Sequence, residues 1–204
     1  MWIVTAEGSL IRFDTVYGRP VDSEFKELDG FKISTVCQDI SGTLWVGTYG
    51  KGVRMLDPES GKFTVHGCEF SQNTPSCDYR VMSLYADSSG NLWIGTEGSG
   101  VGRINTNLSF ISYKGDMYSD TRFGDDVVLS IYKDKSGVVW IGTANGGVNR
   151  FDRENNLLMN YRNDLNDDNC ISSNSVSSIF EDSQGMFLDI LVSEPDKKNS
   201  LTVF

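Results

Sequence analysis

The chain has 204 residues, of which 39% are hydrophobic and 23% are charged, a balance typical of a globular protein rather than a disordered segment. The net charge of −10 argues against nucleic acid and anionic bilayers as partners, because both are bound by clustered basic surfaces. No apolar stretch reaches the roughly 20 residues of a membrane span, so we expect no direct membrane insertion by this segment. The opening residues also lack the basic region and apolar core of a secretory signal.

A unit of roughly 47 residues repeats along the chain, a period typical of β-propeller blades. Three stretches align without gaps: VCQDISGTLWVGTYGKGVRMLD (36–57), LYADSSGNLWIGTEGSGVGRIN (84–105) and IYKDKSGVVWIGTANGGVNRFD (131–152). The opening residues match the second half of the same unit, with Trp2 in frame. A further copy begins at Ile179 as IFEDSQGMF, with Phe187 in place of the tryptophan. The repeat therefore covers nearly the whole chain.

Each unit reads as four short strands joined by tight, glycine-containing turns, which predicts an antiparallel meander. In the copy that contains 84–105 the strands are expected around 81–86, 92–94, 101–104 and 110–113. These strands are apolar on both sides, so each small sheet must be covered on both faces. Radially stacked blades provide that cover, whereas the coils of a parallel β-helix are much shorter than this repeat. The sequence therefore predicts an all-β fold, a partial, open β-propeller of about four four-stranded blades.

The blades are predicted at fixed positions within residues 1–186. They comprise a partial blade (1–28), three full blades (33–66, 81–114 and 127–162) and the first strand of a further blade (176–182). Residues 187–204 lose the repeat frame and are predicted to be a degenerate or truncated tail. As an alternative, the last strand could complete the first blade and close a four-bladed ring, which would remove exposed strand edges.

The frame Asp-x-x-Gly-x-Leu-Trp-Ile-Gly-Thr-x-x-x-Gly-Val, seen at 87–101, closely resembles the two-component regulator propeller repeat. Near copies stand at 39–53 and 134–148, while Val4 replaces the glycine of Gly-Thr in the first copy. The resemblance implies a periplasmic sensor region of a bacterial hybrid histidine kinase of the Bacteroidetes type. It also implies further blades, a membrane span and a kinase core in the parent receptor, which would signal through a phosphorelay as a homodimer.

Residues that recur in every blade are expected to be structural, because a single ligand site needs no such copying. The tryptophans should fill the space between blades and donate their indole N–H to the backbone, while the aspartates accept N–H bonds within their own turns. This structural set comprises Trp45, Trp93, Trp140, Gly47, Gly95, Gly142, Asp39, Asp87 and Asp134.

Ligand binding is expected where the blades differ, on the second-to-third strand turns and the connections between blades. These loops are polar with scattered aromatics, a composition that suits sugar rings and hydroxyls, although each residue alone could be a solvated loop residue. The candidate ligand-binding residues are Tyr49, Lys51, Glu97, Asn145, Tyr79, Arg80 and Arg122. We expect a glycan or other small solute as ligand, and no cofactor.

Catalysis has little support in the sequence, so no catalytic or metal-binding residue is assigned. The chain has one histidine, His66, which disfavours Ser-His-Asp chemistry and histidine-rich metal sites. Cys37 is expected in the core, and Cys68 and Cys77 could form a disulfide across one connection. The leading hypothesis is a non-enzymatic, glycan-sensing module. A protein-interaction propeller without a small ligand is the alternative, and a propeller lyase or glycosidase comes third.

Overall fold

A computed structural model of the chain describes residues 1–21, 30–57, 62–66, 79–105, 110–113, 124–152, 157–167, 170–182, 187–190 and 201–203. The chain forms two compact units. Unit 1 comprises Met1–Ile94 and Arg103–Ile111, and unit 2 comprises Gly95–Gly102 and Ser112–Phe204. Within the described ranges no helix is long and apolar enough to cross a membrane.

The strands of the described residues form five sheets, and in each sheet the strands lie side by side in chain order. The first sheet contains β1 (Trp2–Val4), β2 (Leu10–Asp14) and β3 (Arg19–Val21). The second contains β4 (Ile33–Gln38), β5 (Leu44–Thr48), β6 (Val53–Leu56) and β7 (Phe63–His66). The third contains β8 (Val81–Ala86), β9 (Leu92–Thr96), β10 (Val101–Ile104) and β11 (Phe110–Tyr113). The fourth contains β12 (Val128–Lys133), β13 (Val139–Thr143), β14 (Val148–Asp152) and β15 (Leu157–Tyr161). The fifth contains β16 (Ile179–Glu181), β17 (Phe187–Ile190) and β18 (Leu201–Val203).

These sheets confirm the predicted all-β propeller architecture. Three sheets of the described residues have four strands each, and the first and last have three. The strands β17 and β18 lie in the segment for which the sequence predicts a degenerate tail, so this segment supplies two strands where the repeat frame is lost. Because β16 pairs with β17 in a sheet of its own, it does not complete the first sheet as the closed-ring alternative requires.

The core of unit 1 lies between successive sheets. One cluster joins the first two sheets, with Trp2 and Val4 packed against Ile33, Leu44 and Val46. A second cluster joins the next pair, where Trp45 packs with the buried residues Val53, Tyr79, Val81, Leu92, Ile94 and Ile104. Cys37, predicted to be a core residue, is partly buried against this second cluster, and burial raises the pKa of its thiol. The tryptophan of one blade therefore fills space against the following blade.

Unit 2 repeats this packing in its own elements. Trp140 and Val148 of the fourth sheet pack with Ile171 and Val176, and Ile179 of β16 joins the cluster from the last sheet. Lys135 also reaches the last sheet, where its backbone N–H donates to Glu181 Oε2 at 3.0 Å and its Nζ donates to the Asp182 carbonyl at 2.7 Å. Apolar burial and this polar contact together join the two sheets.

The second strand of each four-stranded sheet is the most enclosed part of its blade. All five residues of β5, of β9 and of β13 are buried, and each of these strands lies between two partner strands. Burial of backbone and side chains on both faces explains the continuous apolar sequence before Gly-Thr, because no position on these strands faces solvent.

The glycine of Gly-Thr allows the next segment of chain to approach the sheet closely. A Cβ placed on Gly47 would lie 2.6 Å from Val81 Cγ1 and 2.7 Å from Thr35 Cγ2. At Gly142 it would lie 2.5 Å from the Val176 carbonyl oxygen. A side chain of any size is excluded at both positions because of these neighbours.

The aspartate and tryptophan of the frame are joined by a hydrogen bond in each full blade. The indole Nε1 donates to Oδ2 of the aspartate six residues earlier: Trp45 to Asp39 at 2.8 Å, Trp93 to Asp87 at 3.2 Å and Trp140 to Asp134 at 2.8 Å. The expectation of a backbone acceptor for the indole is therefore wrong. The carboxylate is already positioned by its own turn, where Asp39 Oδ1 accepts the N–H bonds of residues 41 and 43, as expected.

Candidate functional site

The threonine of Gly-Thr forms the second-to-third strand turn in each full blade. Thr48, Thr96 and Thr143 are fully buried. Each hydroxyl donates to the carbonyl four residues later, at 2.8, 2.7 and 3.0 Å respectively, and accepts a backbone N–H from within the turn. The repeated threonine thus fixes the shape of the turn, while the side chains at the tip differ from copy to copy.

In unit 1 these turns lie beside the connections between blades, and we name this surface the connection end of unit 1 (residues 5–9, 30–32, 49–52 and 79–80). Backbone bonds hold it together: Ile33 N–H donates to the Gly8 carbonyl at 3.0 Å, and Tyr49 N–H to the Lys32 carbonyl at 2.8 Å. Tyr49 also forms an antiparallel β-bridge with Arg80. Two predicted ligand residues, Tyr49 and Arg80, are therefore brought together although they are 31 positions apart in sequence.

The side chains of the connection end of unit 1 combine an exposed aromatic ring with cations. Tyr49 as a whole residue is 40% exposed, and the Nζ of Lys32 lies 5.0 Å from the centroid of its ring. Lys51 follows in the same turn, with its backbone N–H bonded to Thr48 Oγ1 at 3.1 Å. Lys32 was missed by the sequence reasoning because nothing in its local sequence relates it to the turn at Tyr49.

Tyr79 does not share this exposure. It is 8% exposed and belongs to the hydrophobic cluster around Trp45. Its ring therefore packs in the core of unit 1, which is the environment of a structural aromatic rather than of a surface contact for a sugar.

The corresponding surface of unit 2 is the connection end of unit 2 (residues 97–99, 124–127, 144–147, 162–163 and 174). Asp125 is its centre, because its Oδ2 accepts the backbone N–H of Asn145 at 2.9 Å and its side-chain Nδ2 at 3.2 Å. The Arg162 guanidinium donates to the Asn145 carbonyl at 3.2 Å. The predicted residue Asn145 is thus held by Asp125 and Arg162, two residues that the sequence reasoning did not select.

The buried side-chain amide of Asn149 supports the connection end of unit 2. Asn149 is fully buried, and its Oδ1 accepts the Gly124 N–H at 3.2 Å and the Asn160 Nδ2 at 3.0 Å. Asn160 Nδ2 also donates to the Gly146 carbonyl at 2.7 Å. These bonds attach the connection at residue 124 to the turn at 146, so the arrangement is rigid and its polar groups serve mainly each other.

The remaining predicted residues are less informative. Glu97 is exposed and forms a β-bridge with Val127 in unit 2. Arg122, Cys68 and Cys77 lie outside the described residues, so the ligand role of the arginine and the disulfide stay predictions. Among the described residues Cys37 and Cys170 are free thiols, and no group of three or more metal-ligating side chains is found.

His66 lies on the outer strand β7 and has packing partners. Its ring meets the Trp45 ring edge-on, with the centroids 5.5 Å apart. Its Nε2 also lies 3.1 Å from Thr64 Oγ1. The histidine therefore packs on the outer strand of its blade, opposite Val53, the residue that follows the turn at 49–52.

A cavity of about 430 Å³ is present in unit 1 at the other end of the sheets. It is lined by Met1, Trp2, Arg12, Val36, Cys37, Gln38 and Leu44. Arg12 lies over Trp2, with 5.9 Å between the guanidinium carbon and the ring centroid. This cross-strand pair recurs as Arg103 over Trp93 and Arg150 over Trp140, so the arginine and tryptophan lining the cavity belong to a recurring structural pair.

The repeated frame also matches a known family. Residues 28–50, 75–98 and 122–145 each match the two component regulator propeller family. The chain carries two component regulator propeller repeats. The three matched segments contain the Asp-x-x-Gly turn, the tryptophan strand and the start of the following turn of each full blade, which are the parts that the structure shows to be built alike.

Solved structures with the same fold include extracellular domains of signalling proteins. One is the extracellular domain of a protein described as a hybrid two component system from B. thetaiotaomicron, with 21% identity and a TM-score of 0.73 over 92% of this chain and 24% of that chain. Another domain of the same description has 22% identity and a TM-score of 0.59, over 92% of this chain and 30% of that one. The chain thus spans about a quarter to a third of the length of these relatives.

The fold is shared with an enzyme as well. Virginiamycin B lyase from Staphylococcus aureus has 10% identity and a TM-score of 0.64, over 100% of this chain and 68% of that chain. At such identities the likeness of all three structures shows a common fold and nothing about activity. No curated protein matches the chain.

Proposed function

We propose that this chain is part of the periplasmic sensor region of a bacterial hybrid two-component receptor, and that it binds a small polar solute, a glycan fragment being the favoured class. The regulator propeller repeats support the receptor role, and the similar extracellular domains support the location. The chain acts as a binding module, and its bound state is read by other parts of the receptor.

One observation carries the binding proposal. The two ends of the blades differ in how their residues recur along the chain. At the Asp-x-x-Gly end the same aspartate and tryptophan form the same hydrogen bond in each full blade. At the connection end the corresponding tip positions hold Tyr49, Glu97 and Ala144, on turns with a common threonine scaffold. A scaffold that repeats from blade to blade, with tip residues that vary, is the arrangement by which loops on a rigid fold bind ligands.

The chemistry of the connection ends fits a polar solute. Exposed tyrosine can stack on the apolar face of a sugar ring, while carboxylate, amide and cationic groups bond its hydroxyls or acidic substituents. In unit 1 Tyr49 provides the ring and Lys32 a cation beside it, and in unit 2 the exposed Asn145 provides an amide. In the intact receptor the ligand would act by binding one arrangement of a receptor dimer more tightly than another, since only differential affinity shifts such an equilibrium.

Isothermal titration calorimetry of the 204-residue chain against a panel of neutral and acidic oligosaccharides tests the proposal. We expect saturable heat for at least one saccharide, and a rise in unfolding temperature at ligand concentrations well above Kd. Absence of both for every saccharide, together with a defined protein partner that binds the chain stoichiometrically, would favour the protein-interaction alternative instead.

A further inference from the structure

The turn between β13 and β14 contains the only Asn-Gly dipeptide in the sequence, Asn145-Gly146. In such a pair the backbone nitrogen of the glycine can reach the side-chain amide carbon of the asparagine and close a succinimide ring. Glycine makes this approach easy, because it has no side chain to hinder it and its backbone adopts conformations that are closed to other residues. The dipeptide is therefore chemically suited to deamidation at Asn145, a residue of the candidate site.

The fold requires both residues of this pair. A Cβ placed on Gly146 would lie 2.5 Å from the Asp125 backbone nitrogen and 2.6 Å from Gly124 Cα, so no larger residue fits there. Asn145 is held through its amide, because Asp125 Oδ2 accepts its backbone N–H at 2.9 Å and its Nδ2 at 3.2 Å. Replacing either residue would therefore cost the contact between residues 124–125 and the turn.

Hydrogen bonds hold the groups that would react when the turn is folded. The nucleophile would be the Gly146 backbone nitrogen, whose N–H donates to the buried Thr143 Oγ1 at 3.0 Å. The leaving group would be Asn145 Nδ2, which donates to Asp125 Oδ2. The Gly146 carbonyl is also held, by Asn160 Nδ2 at 2.7 Å. Ring closure needs the Gly146 nitrogen to lose its proton and the Asn145 side chain to rotate toward it, so the bonds to Thr143 and Asp125 must break first.

We infer that Asn145 is a site of spontaneous deamidation, and that Thr143 and Asp125 keep it unreactive until the turn opens. In the open turn the Gly146 nitrogen gives its proton to a solvent base and attacks Asn145 Cγ. The Cγ–Nδ2 bond breaks, Nδ2 takes up a proton and leaves as ammonia, and a succinimide ring remains. Water then adds to one of the two ring carbonyls and breaks its bond to the ring nitrogen, which gives aspartate or isoaspartate. Water is the only other reactant, and nothing is oxidised or reduced.

The products differ from Asn145 at the atoms that hold the turn. A carboxylate at position 145 places a like charge beside the Asp125 carboxylate, in place of the Nδ2 that now donates to it. In isoaspartate the backbone is also one carbon longer, beside a contact between residues 124 and 146 that has no room for an added Cβ. Deamidation should thus loosen the connection end of unit 2, whether or not that surface binds the solute proposed above.

Peptide mapping by mass spectrometry on the 204-residue chain, aged in mildly alkaline buffer, measures the deamidation rate of each asparagine. We expect Asn145 to react at least about tenfold more slowly in the native chain than in the chain unfolded in guanidinium chloride, since a tenfold ratio needs only about 1.4 kcal/mol of local opening free energy. Asn166 is the matched internal control. Its Nδ2 also donates to an aspartate oxygen, Asp164 Oδ1, at 3.2 Å, but the residue that follows it is Asp167. In the unfolded chain Asn145 should react faster than Asn166.

Variants separate the two protecting hydrogen bonds. Thr143→Val removes the acceptor of the Gly146 N–H, and Asp125→Ala removes the acceptor of Asn145 Nδ2. Each should raise the native-state rate at Asn145 by roughly two- to tenfold, the range that the net contribution of one hydrogen bond gives. Thr143→Ser keeps the hydroxyl and should keep the native rate. None of the three should change the rate at Asn166, so a variant that unfolds altogether is recognised by a rise at both asparagines.

Asn145→Asp reproduces one product directly. The Ala144 N–H donates to the Val127 carbonyl at 3.0 Å and the Gly147 N–H to the Asn174 carbonyl at 2.8 Å, so both amides should exchange slowly in the native chain. In Asn145→Asp we expect their hydrogen exchange to be at least about tenfold faster, while the amides of β9 stay unchanged. Unchanged exchange of both amides would overturn the claim that deamidation loosens this end.

The other outcomes decide the remaining steps. Equal rates at Asn145 in the native and the unfolded chain, or native rates in both Thr143→Val and Asp125→Ala, would overturn protection by the turn. A rate at Asn145 in the unfolded chain no higher than that at Asn166 would overturn the assignment of the site itself. Saccharide binding is measured separately by calorimetry, so failure of this inference leaves the proposed function standing, and failure of the proposed function leaves this inference standing.

Discussion

Replacing Asp87 with alanine should destabilise the chain far more than the same replacement at Asp39, although the two aspartates occupy the same position in successive blades. Asp87 Oδ1 accepts the N–H groups of Ser89 and Asn91 at 2.9 Å each, and its Oδ2 accepts Trp93 Nε1 at 3.2 Å. Asp87 is 3% exposed and Trp93 1%. Asp39 makes the equivalent bonds at a partly exposed site.

The size of the loss of unfolding free energy in each variant depends on which of the donors water can reach. Asp87→Ala removes the acceptor of three buried donors, the Asn91 N–H, the Asn91 Nδ2 and the Trp93 Nε1, at about 1 to 3 kcal/mol each, so we expect a loss of roughly 3 to 9 kcal/mol. In Asp39→Ala water can reach the N–H groups of Ser41 and Thr43, and only the indole of Trp45, which is 4% exposed, loses the acceptor of a buried donor, so about 1 to 3 kcal/mol should be lost. Against a typical unfolding free energy of about 5 to 15 kcal/mol, the first variant loses a large share of the stability.

Urea denaturation followed by tryptophan fluorescence measures both variants, with the midpoint and the slope fitted separately. Asp87→Asn serves as a second variant, because it keeps one oxygen but places an N–H₂ group among donors, and it should still cost more than Asp39→Ala. Equal losses of unfolding free energy for the two alanine variants, or a smaller loss at Asp87, would refute the reasoning. Burial of the donors would then not decide how much the hydrogen bonds to the aspartate stabilise the chain.

Three further predictions concern the scaffold. Gly142→Ala should lower the unfolding free energy by about 1 to 3 kcal/mol, because the new Cβ would lie 2.5 Å from the Val176 carbonyl oxygen; thermal unfolding with no loss would contradict this. Thr143→Val should cost about 1 to 3 kcal/mol by removing the buried hydroxyl that bonds the turn, while Thr143→Ser should cost less; equal losses for the two would show that the hydroxyl is not the cause. Stability should also fall as the pH drops below about 4. Burial raises the pKa of the Asp39 and Asp134 carboxyls, but the hydrogen bonds that they accept outweigh it and leave both pKa values lowered. Their contribution to the free energy of unfolding is therefore present above the unfolded-state pKa and is lost as the pH falls through the folded-state pKa. A urea unfolding midpoint that stays constant from pH 5 to 2.5 would contradict this prediction.

Most of the fold could be predicted because its signal is local and repeated. The strand Leu92–Thr96 is apolar throughout, is followed by a glycine turn, and recurs at Leu44 and Val139, which is enough to predict a sheet covered on both faces. The partner of the indole N–H was predicted wrongly, since side chains six residues apart meet only when the intervening turn has a particular shape. That shape places Asp87 Oδ2 beside Trp93 Nε1, and it could not be read from strand periodicity.

Much less of the candidate site could be predicted, because its residues come together through tertiary structure. Tyr49 and Asn145 were selected for their place on turns, which the sequence shows. Their neighbours Lys32 and Asp125 lie 17 and 20 positions earlier on the connections, where polar residues are common and nothing marks these two. The burial of Tyr79 depends on packing against Trp45 and its cluster, which the local polar sequence does not indicate.

The most direct test of a ligand site on the connection end of unit 1 is chemical-shift mapping by NMR on the 204-residue chain, titrated with the saccharide of the calorimetry panel that gives the largest saturable heat. The account predicts saturable shifts of the amides of Lys32, Tyr49 and Arg80, with the Asp-x-x-Gly turns at 39–42 and 87–90 unmoved. Shifts concentrated at those turns, with the amides of the connection end unchanged, would contradict it.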